Sequence, residues 1–401
     1  MKRIFFLLLS LTLLTSCAAE IKSVPYREKT TDEFYADFAL NLLRKGHQEG
    51  ENALISPLSV TIALGMISDG ASGDTAEECA ALLGLKPEML SPYCMTLIEK
   101  YSSLGGSSES ILANSLWCDP DWVLNDSFVQ NCQNSYAAQL FQADLQSSET
   151  VLAINDWVNE ATHGMIPQVL SERFSDQTML AFLNTAYFKN QFEHPFIAPE
   201  GWFIDFQNAD GTMSQSQGMS NSGREEIYLF HEDGQGVVLP YDDGKLGLLL
   251  MLPNEGVNLN AYLESWDGRT ITDLLENQIV AKVHLGVPKF KAEWGGELKD
   301  SLMSLGMVRA FDLDTANFVS MGHSEKGSYF LNSLFHKSAF EVNENGTTSA
   351  AVTASSVYGL PDSQEESISL VFNRAFVYGI VDLHTGFPLF LGIQEQMECT
   401  E

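Results

Sequence analysis

Helix-spaced apolar stripes in the first third of the chain, followed by continuous and alternating apolar runs, predict an α+β protein with a strand covered on both faces. Three stretches carry this expectation. Residues 178–189 are nearly all apolar, as in a central strand covered on both faces. Residues 237–241 and 246–253 read as a hairpin around Asp242-Asp243-Gly244, and residues 368–382 and 387–393 as two buried strands joined by His384-Thr385-Gly386. No Pro/Gly/Ser-rich boundary or repeat divides residues 30–395, so they are expected to form one domain with a substantial core.

At the N-terminus, Met1-Lys2-Arg3 and the short apolar run 4–14 form a secretory signal too short to span a bilayer. It ends in Leu14-Thr15-Ser16-Cys17, the spacing of a bacterial lipobox, with cleavage before Cys17 and lipidation of its thiol and new amino group. A plain signal peptide with an incidental Cys17 is the alternative. Ala18, where aspartate would favour inner-membrane retention, points to an outer-membrane or surface anchor. The expected organisation is a signal peptide 1–16, a lipidated tether 17–29, a globular domain 30–395 and a tail 396–401. The formal charge of −31, or −33 once Lys2 and Arg3 leave, disfavours nucleic acid and anionic lipid as partners, so the N-terminal lipid is the expected membrane contact. Of six cysteines, Cys79, Cys94, Cys118, Cys132 and Cys399 remain after lipidation; with an odd number and no Cys-x-x-Cys, they read mainly as small core residues, although one pair could oxidise.

The elements follow in order. Thr31-Asp32-Glu33 reads as the cap of a helix with the stripe Phe34, Phe38, Ala39, Leu42 and Leu43. A short strand then ends at Ser56, N-cap of a helix that opens on Pro57 and buries Val60, Ala63, Leu64 and Ile67. Thr75-Ala76-Glu77-Glu78 has capping-box spacing for a helix to Leu83, and Ser91-Pro92 is expected to start another. Residues 111–117 read as a strand, Asn125-Asp126 as the cap of a helix with the stripe Phe128, Cys132 and Tyr136, and residues 149–162 as a further helix. Inside the run 178–189, a buried Asn184 must find hydrogen-bond partners.

The stretch 346–361 fits neither an ordinary strand nor an ordinary linker. It is uncharged, and rich in Ser, Ala and β-branched Thr and Val. Taken with period two, Thr347, Ser349, Ala351, Thr353, Ser355 and Val357 are small enough to be buried between existing strands. In isolation a linker is the simpler reading, but the strand patterns at 335–344 and 368–382 hold it between core elements.

His336-Lys337, Glu344-Asn345-Gly346-Thr347 before the small-residue hinge, Phe372-Asn373-Arg374-Ala375-Phe376 and Pro388-Leu389-Phe390-Leu391-Gly392 together resemble the serpins, the serine protease inhibitor family. Residues 52–60 are similar to the family's N-terminal motif, and residues 287–291 with the helix 298–305 complete a resemblance over about 30–395. Ala375 departs from the family's usual proline. The resemblance implies the serpin fold: a mixed, large central β-sheet A, sheets B and C, about eight to nine helices, and an exposed reactive-centre loop 346–367. It implies a hinge of Glu344, Gly346, Thr347, Thr348, Ser349, Ala350, Ala351, Val352 and Thr353. It also implies a shutter of Ser56, Asn184 and His336 beneath the opening sheet, for which three unrelated capping residues are the alternative. At the breach, Phe192 stands in place of the usual Trp, keeping an apolar plug and losing an indole N–H.

The mechanism implied is covalent suicide trapping: a protease cleaves the loop, and the freed half inserts as a new strand before water hydrolyses the acyl-enzyme. On this reading the protein is a monomeric inhibitor, not an enzyme, and takes no cofactor. Val357, Tyr358, Gly359 and Leu360 are the scissile-bond candidates. The usual loop length counted from Glu344 reaches Leu360, but Pro361 follows, and most proteases cleave poorly before proline. Tyr358, the preferred candidate, suits chymotrypsin-like or subtilisin-like enzymes; Gly359 suits papain-like cysteine proteases, and Leu360 or Val357 elastase-like ones. No Arg or Lys lies between Gly346 and Asn373, which disfavours trypsin-like targets, and the acidity disfavours heparin. A non-inhibitory serpin-fold carrier or chaperone is the second reading, which the intact hinge disfavours. The sequence holds no zinc-protease, nucleophile-elbow, phosphate-loop or dinucleotide motif, and no metal-ligand spacing; His47, His231 and His323 are expected at the surface or in turns.

Overall fold

The computed structural model describes residues 28–175, 178–221, 223–324, 330–347 and 367–397. Thr30, not Thr31, caps the first helix, Thr31–Gly46: its hydroxyl accepts the Glu33 N–H at 3.2 Å and the Glu33 carboxylate accepts the Thr30 N–H at 2.7 Å, a capping box one residue earlier than expected. Phe38, Ala39, Leu42 and Leu43 face the core, while Phe34 stays partly exposed. The strand Ala53–Ile55 ends at Ser56, whose hydroxyl accepts the Ser59 N–H, and Pro57 opens the helix Pro57–Gly70. That helix is buried on nearly every side, as its all-round apolar sequence requires.

Two helix starts correct the expectation. Asp74–Ala81 begins behind Gly73 with no side-chain cap, because the supposed capping box is used elsewhere. The Thr75 hydroxyl accepts the Asn317 N–H at 3.1 Å, and Glu78 accepts the N–H groups of Val308 and Arg309 at 2.8 and 2.7 Å. The next helix, Pro87–Ser102, opens on Pro87 and carries Pro92 inside it. Pro87 occupies a position that needs no N–H, and exposed Pro92 forfeits one intrahelical bond. Asp126–Tyr136 and Ser148–Ala161 stand where expected, and Phe128, Cys132 and Tyr136 are the buried residues of the former.

Six strands make the mixed central sheet, in the order Phe290–Glu297, Ser333–Asn343, Gly346–Thr347, Leu180–Gln191, Glu109–Cys118 and Gln139–Gln142. The two smaller sheets expected beside it run together as one ten-stranded array, antiparallel except where Ile368–Val371 lies parallel to Ile279–Pro288. That array contains the predicted hairpin, Gly234–Pro240 with Leu246–Pro253, and the C-terminal pair Phe376–Asp382 with Pro388–Gln394. The run 368–382 is two strands and not one. Phe372 turns fully into the core and the Arg374 guanidinium donates to the Pro253 carbonyl at 2.7 Å, so the halves pair with different neighbours.

Alternation along Leu180–Gln191 sends Phe182, Ala186 and Phe188 into the main core, shared with the helix Pro57–Gly70 and the ten-stranded array. Ala181 and Leu183 face a second cluster with Ile154, Val158 and Phe174 on the other side. The central sheet is therefore covered on both faces, which accounts for the continuous apolar run. Nine α-helices occur among the described residues, none long and apolar enough to cross a membrane.

Candidate functional site

Ser56, Asn184 and His336, distant in sequence, meet in one buried cluster. Asn184 pairs with His336 across parallel strands and with Asn114 on its other side, so the three lie in one row across the central sheet. The Ser56 N–H donates to His336 Nε2 at 3.1 Å. Nε2 is thus an acceptor, and the ring proton sits on Nδ1, 2.7 Å from Asn184 Oδ1. The Ser338 hydroxyl lies 2.7 Å from the same Nε2. Asn184 Nδ2 donates to Asn114 Oδ1 at 2.7 Å and to the Ser59 carbonyl at 3.0 Å, while the Ser59 hydroxyl donates to Asn184 Oδ1. The Ser56 hydroxyl donates to the Leu389 carbonyl at 3.0 Å. His336 is 0 % exposed, and burial pulls its pKa down to about 3, so the imidazole is neutral. Asn114, Ser59 and Ser338 were missed by sequence reasoning. Asn114 carried a usable signal: like Asn184, it interrupts an apolar strand on the same register row.

Above this cluster, Gly346–Thr347 forms a two-residue strand antiparallel to both neighbours. Thr347 lies opposite Val342 and Asn190, and Gly346 opposite Asn343 and Gln191. Gly346 has φ +151°, and a Cβ there would sit 2.1 Å from the Asn190 carbonyl oxygen, so glycine is required. Thr347 is fully buried, its hydroxyl 2.5 Å from that of Tyr241. Glu344 pairs with Lys289 at 2.6 Å; burial, the largest single influence, raises the carboxyl pKa, but the hydrogen bond to Lys289, a backbone hydrogen bond and the Lys289 charge together outweigh it and hold the group below its ordinary value. The Asn345 carbonyl accepts the Phe192 N–H at 2.8 Å, and the Glu344 carbonyl accepts the Phe196 N–H at 2.7 Å. The buried Phe192 ring stacks on Tyr241 with centroids 5.4 Å apart and packs edge-on against Phe196. The Tyr241 hydroxyl adds a side-chain polar contact from this aromatic group to the hinge.

Below Thr347 the sheet is closed: residues 333–339 pair directly with 181–187, in parallel. The row of Asn184 and His336 lies within this seam. Thr348, Ser349, Ala350, Ala351, Val352 and Thr353, the candidates Val357, Tyr358, Gly359 and Leu360, and Cys17 and Cys399 lie outside the described residues.

One histidine, His47, corrects the surface expectation, while His231 is half-buried beside a turn. His47 Nε2 is 3.1 Å from the Glu395 carboxylate, both side chains about 5 % exposed, because the end of the first helix packs on the end of the last strand. His231 meets Tyr262 edge-on at 5.1 Å, and burial lowers its pKa. His323 is exposed. Cys79, Cys94, Cys118 and Cys132 are buried free thiols, and burial pushes Cys79 and Cys132 up to about 12 and Cys118 to about 11.

Residues 33–396 match the family model described as Serpin (serine protease inhibitor). An uncharacterized serpin-like protein of Thermococcus kodakarensis is 29 % identical over 372 residues, covering 91 % of this chain and 85 % of that protein. Serpin B6 of Macaca fascicularis is 32 % identical over 333 residues, covering 79 % and 86 % respectively. Among solved structures, the thermophilic serpin tengpin in its native state superposes with a TM-score of 0.84 at 29 % identity, covering 94 % of this chain and 96 % of that one.

Proposed function

Because the chain belongs to the serpin family, we propose that it inhibits serine-type endopeptidases, and papain-like cysteine proteases as further targets, by covalent trapping at a bacterial cell envelope. One observation carries the trapping chemistry. Gly346 and Thr347 already sit between strands that are paired to each other in parallel beneath them. Further insertion exchanges one parallel ladder for two antiparallel ones, which are more stable per residue, so the closed sheet holds free energy that loop cleavage releases.

The protease hydroxyl or thiol adds to the scissile carbonyl, the peptide C–N bond breaks, and the departing amine takes the proton. The resulting ester or thioester holds the protease on the N-terminal half of the loop, and insertion must outrun its hydrolysis. This chain contributes a stretch from Gly346 through Leu360 that brings neither charge nor proline into the sheet. It also contributes a neutral His336, so parting the seam separates no buried ion pair there. Tyr358 as the residue before the cut fits chymotrypsin-like or subtilisin-like enzymes, and Leu360 or Val357 elastase-like ones. Lipidated Cys17 would hold a monomeric domain at the outer membrane or cell surface, in reach of foreign proteases.

The test is incubation of the lipid-free domain with chymotrypsin, neutrophil elastase, subtilisin and papain, followed by denaturing gels and the mass of the released C-terminal peptide. A complex that survives denaturation is expected with at least one of them. Cleavage of the loop by all four with no such complex would remove the trapping mechanism and leave a carrier. Radiolabelled fatty acid should enter the native chain in bacterial cells and not the Cys17→Ala variant.

A further inference from the structure

A second polar cluster sits above the hinge and takes no part in the seam. The turn 241–244 joins Gly234–Pro240 to Leu246–Pro253 in the ten-stranded array, and its side chains are stitched into the top of the central sheet. Asp243 Oδ2 accepts from Asn190 Nδ2 at 2.7 Å and from the Ser108 hydroxyl at 2.6 Å. Asn190 Oδ1 accepts from the Ser107 hydroxyl at 3.1 Å, and the Asp242 carboxylate accepts the Ser107 N–H at 2.9 Å. The Asp242 N–H donates to the Gln191 carbonyl at 2.9 Å. Gly106, at φ +62°, permits this approach, since a Cβ there would lie 2.2 Å from Asp242 Oδ1. Asn190 is fully buried and is the residue opposite Thr347, whose hydroxyl meets Tyr241 of the same turn.

The two ends of this link belong to bodies that separate when the sheet opens. Leu180–Gln191 is paired with Glu109–Cys118 along the whole of that strand, so the two would shift together away from Ser333–Asn343. The turn is fixed in the other sheet by its own hairpin. We propose that the 241–244 turn is a latch: Asp243, through Asn190 and Ser108, ties the moving strands to the fixed sheet and sets the rate at which the loop follows Thr347 inward. The latch rests on the insertion step of the function proposed above and adds positioning residues that never touch the protease.

Asp243→Asn separates the latch from the turn. It keeps Oδ1 for the Lys245 and Leu246 N–H groups but aims a donor at Asn190 Nδ2. The double change Asn190→Asp with Asp243→Asn restores a donor facing an acceptor. Each mature chain is mixed with a synthetic peptide of residues 348–357, and uptake into the central sheet is followed by native-gel mobility and tryptophan fluorescence. Uptake by Asp243→Asn should be at least about tenfold faster than by the native chain, and the double variant should return to within about twofold. Ser108→Ala, which removes one hydroxyl and guards against misfolding of the first variant, should give about threefold. Native-rate uptake by both single variants, or a double variant as fast as Asp243→Asn, overturns the latch. If covalent protease complexes still form in that case, the inhibitor reading stands without it; peptide uptake by no form of the protein overturns the latch and the insertion step together.

Discussion

His336 titrates near 3 in the folded chain because it is buried, against 6.5 for an unperturbed imidazole. Between those values the unfolded chain binds more protons than the folded one. The stability that His336 contributes is therefore complete above about pH 6.5 and is lost as pH falls toward 3, at up to about 1.4 kcal/mol per pH unit. Urea unfolding at pH 7 and pH 4.5 should show a larger loss for the native chain than for His336→Gln; equal losses would mean that the folded site takes up a proton freely. At the hinge, Gly346→Ala combines a positive φ with a methyl 2.1 Å from the Asn190 carbonyl oxygen, a strain of about 1–3 kcal/mol that is relieved if the hinge leaves the sheet. That variant is expected to be cleaved as a substrate more often per trapped protease, which a titration of inhibition stoichiometry reads directly.

Individual elements were legible where a local rule decided them. Ser56-Pro57 fixed a helix start because the cap and the missing N–H are both local, and the stripe Phe128, Cys132 and Tyr136 marked a buried face by spacing alone. Rules failed where a distant partner took the residue. Thr75 and Glu78 have capping-box chemistry but are held by backbone N–H groups more than 200 positions away, and His47 looks like a helix-end surface residue until Glu395 is folded onto it. The candidate site shows the same division. Its hinge glycine, Asn184 and His336 could be read from the sequence and the family resemblance, whereas Asn114 was missed, and Tyr241, Asn190 and Asp243 sit in an ordinary hairpin turn and a strand end and acquire their partners only from the packing of two sheets. The buried cysteines give an element-level check. Cys79, Cys94, Cys118 and Cys132 lie on three helices and one strand of the core, with thiol pKa values raised by burial. A thiol reagent at pH 8 should label none of the four in the native chain within minutes and all four in denaturant; rapid native labelling at any would show that its element opens.

For the whole molecule, the parallel seam is the line along which the central sheet is expected to part, and the sequence after Thr347 supplies an uncharged stretch rich in small and β-branched residues in every copy. Heating below the unfolding midpoint should therefore give ladders of polymers on native gels, and a sample that stays monomeric until it unfolds would count against this. The hinge register also works as a ruler. Gly346 and Thr347 lie opposite Gln191 and Asn190 on one side and Asn343 and Val342 on the other. Carried on one residue at a time, the same count would bring Thr353 level with both Asn184 and His336, a hydroxyl entering a polar row of the sheet. It would run out of sheet at Leu180 beside Val357 and at Ser333 beside Ser356. Ten residues of new strand amount to a haul of about 34 Å, and Tyr358 is the first candidate to clear the far edge. A cut after Val357 would strand the captive enzyme at the rim, so the released peptide should begin no earlier than Gly359.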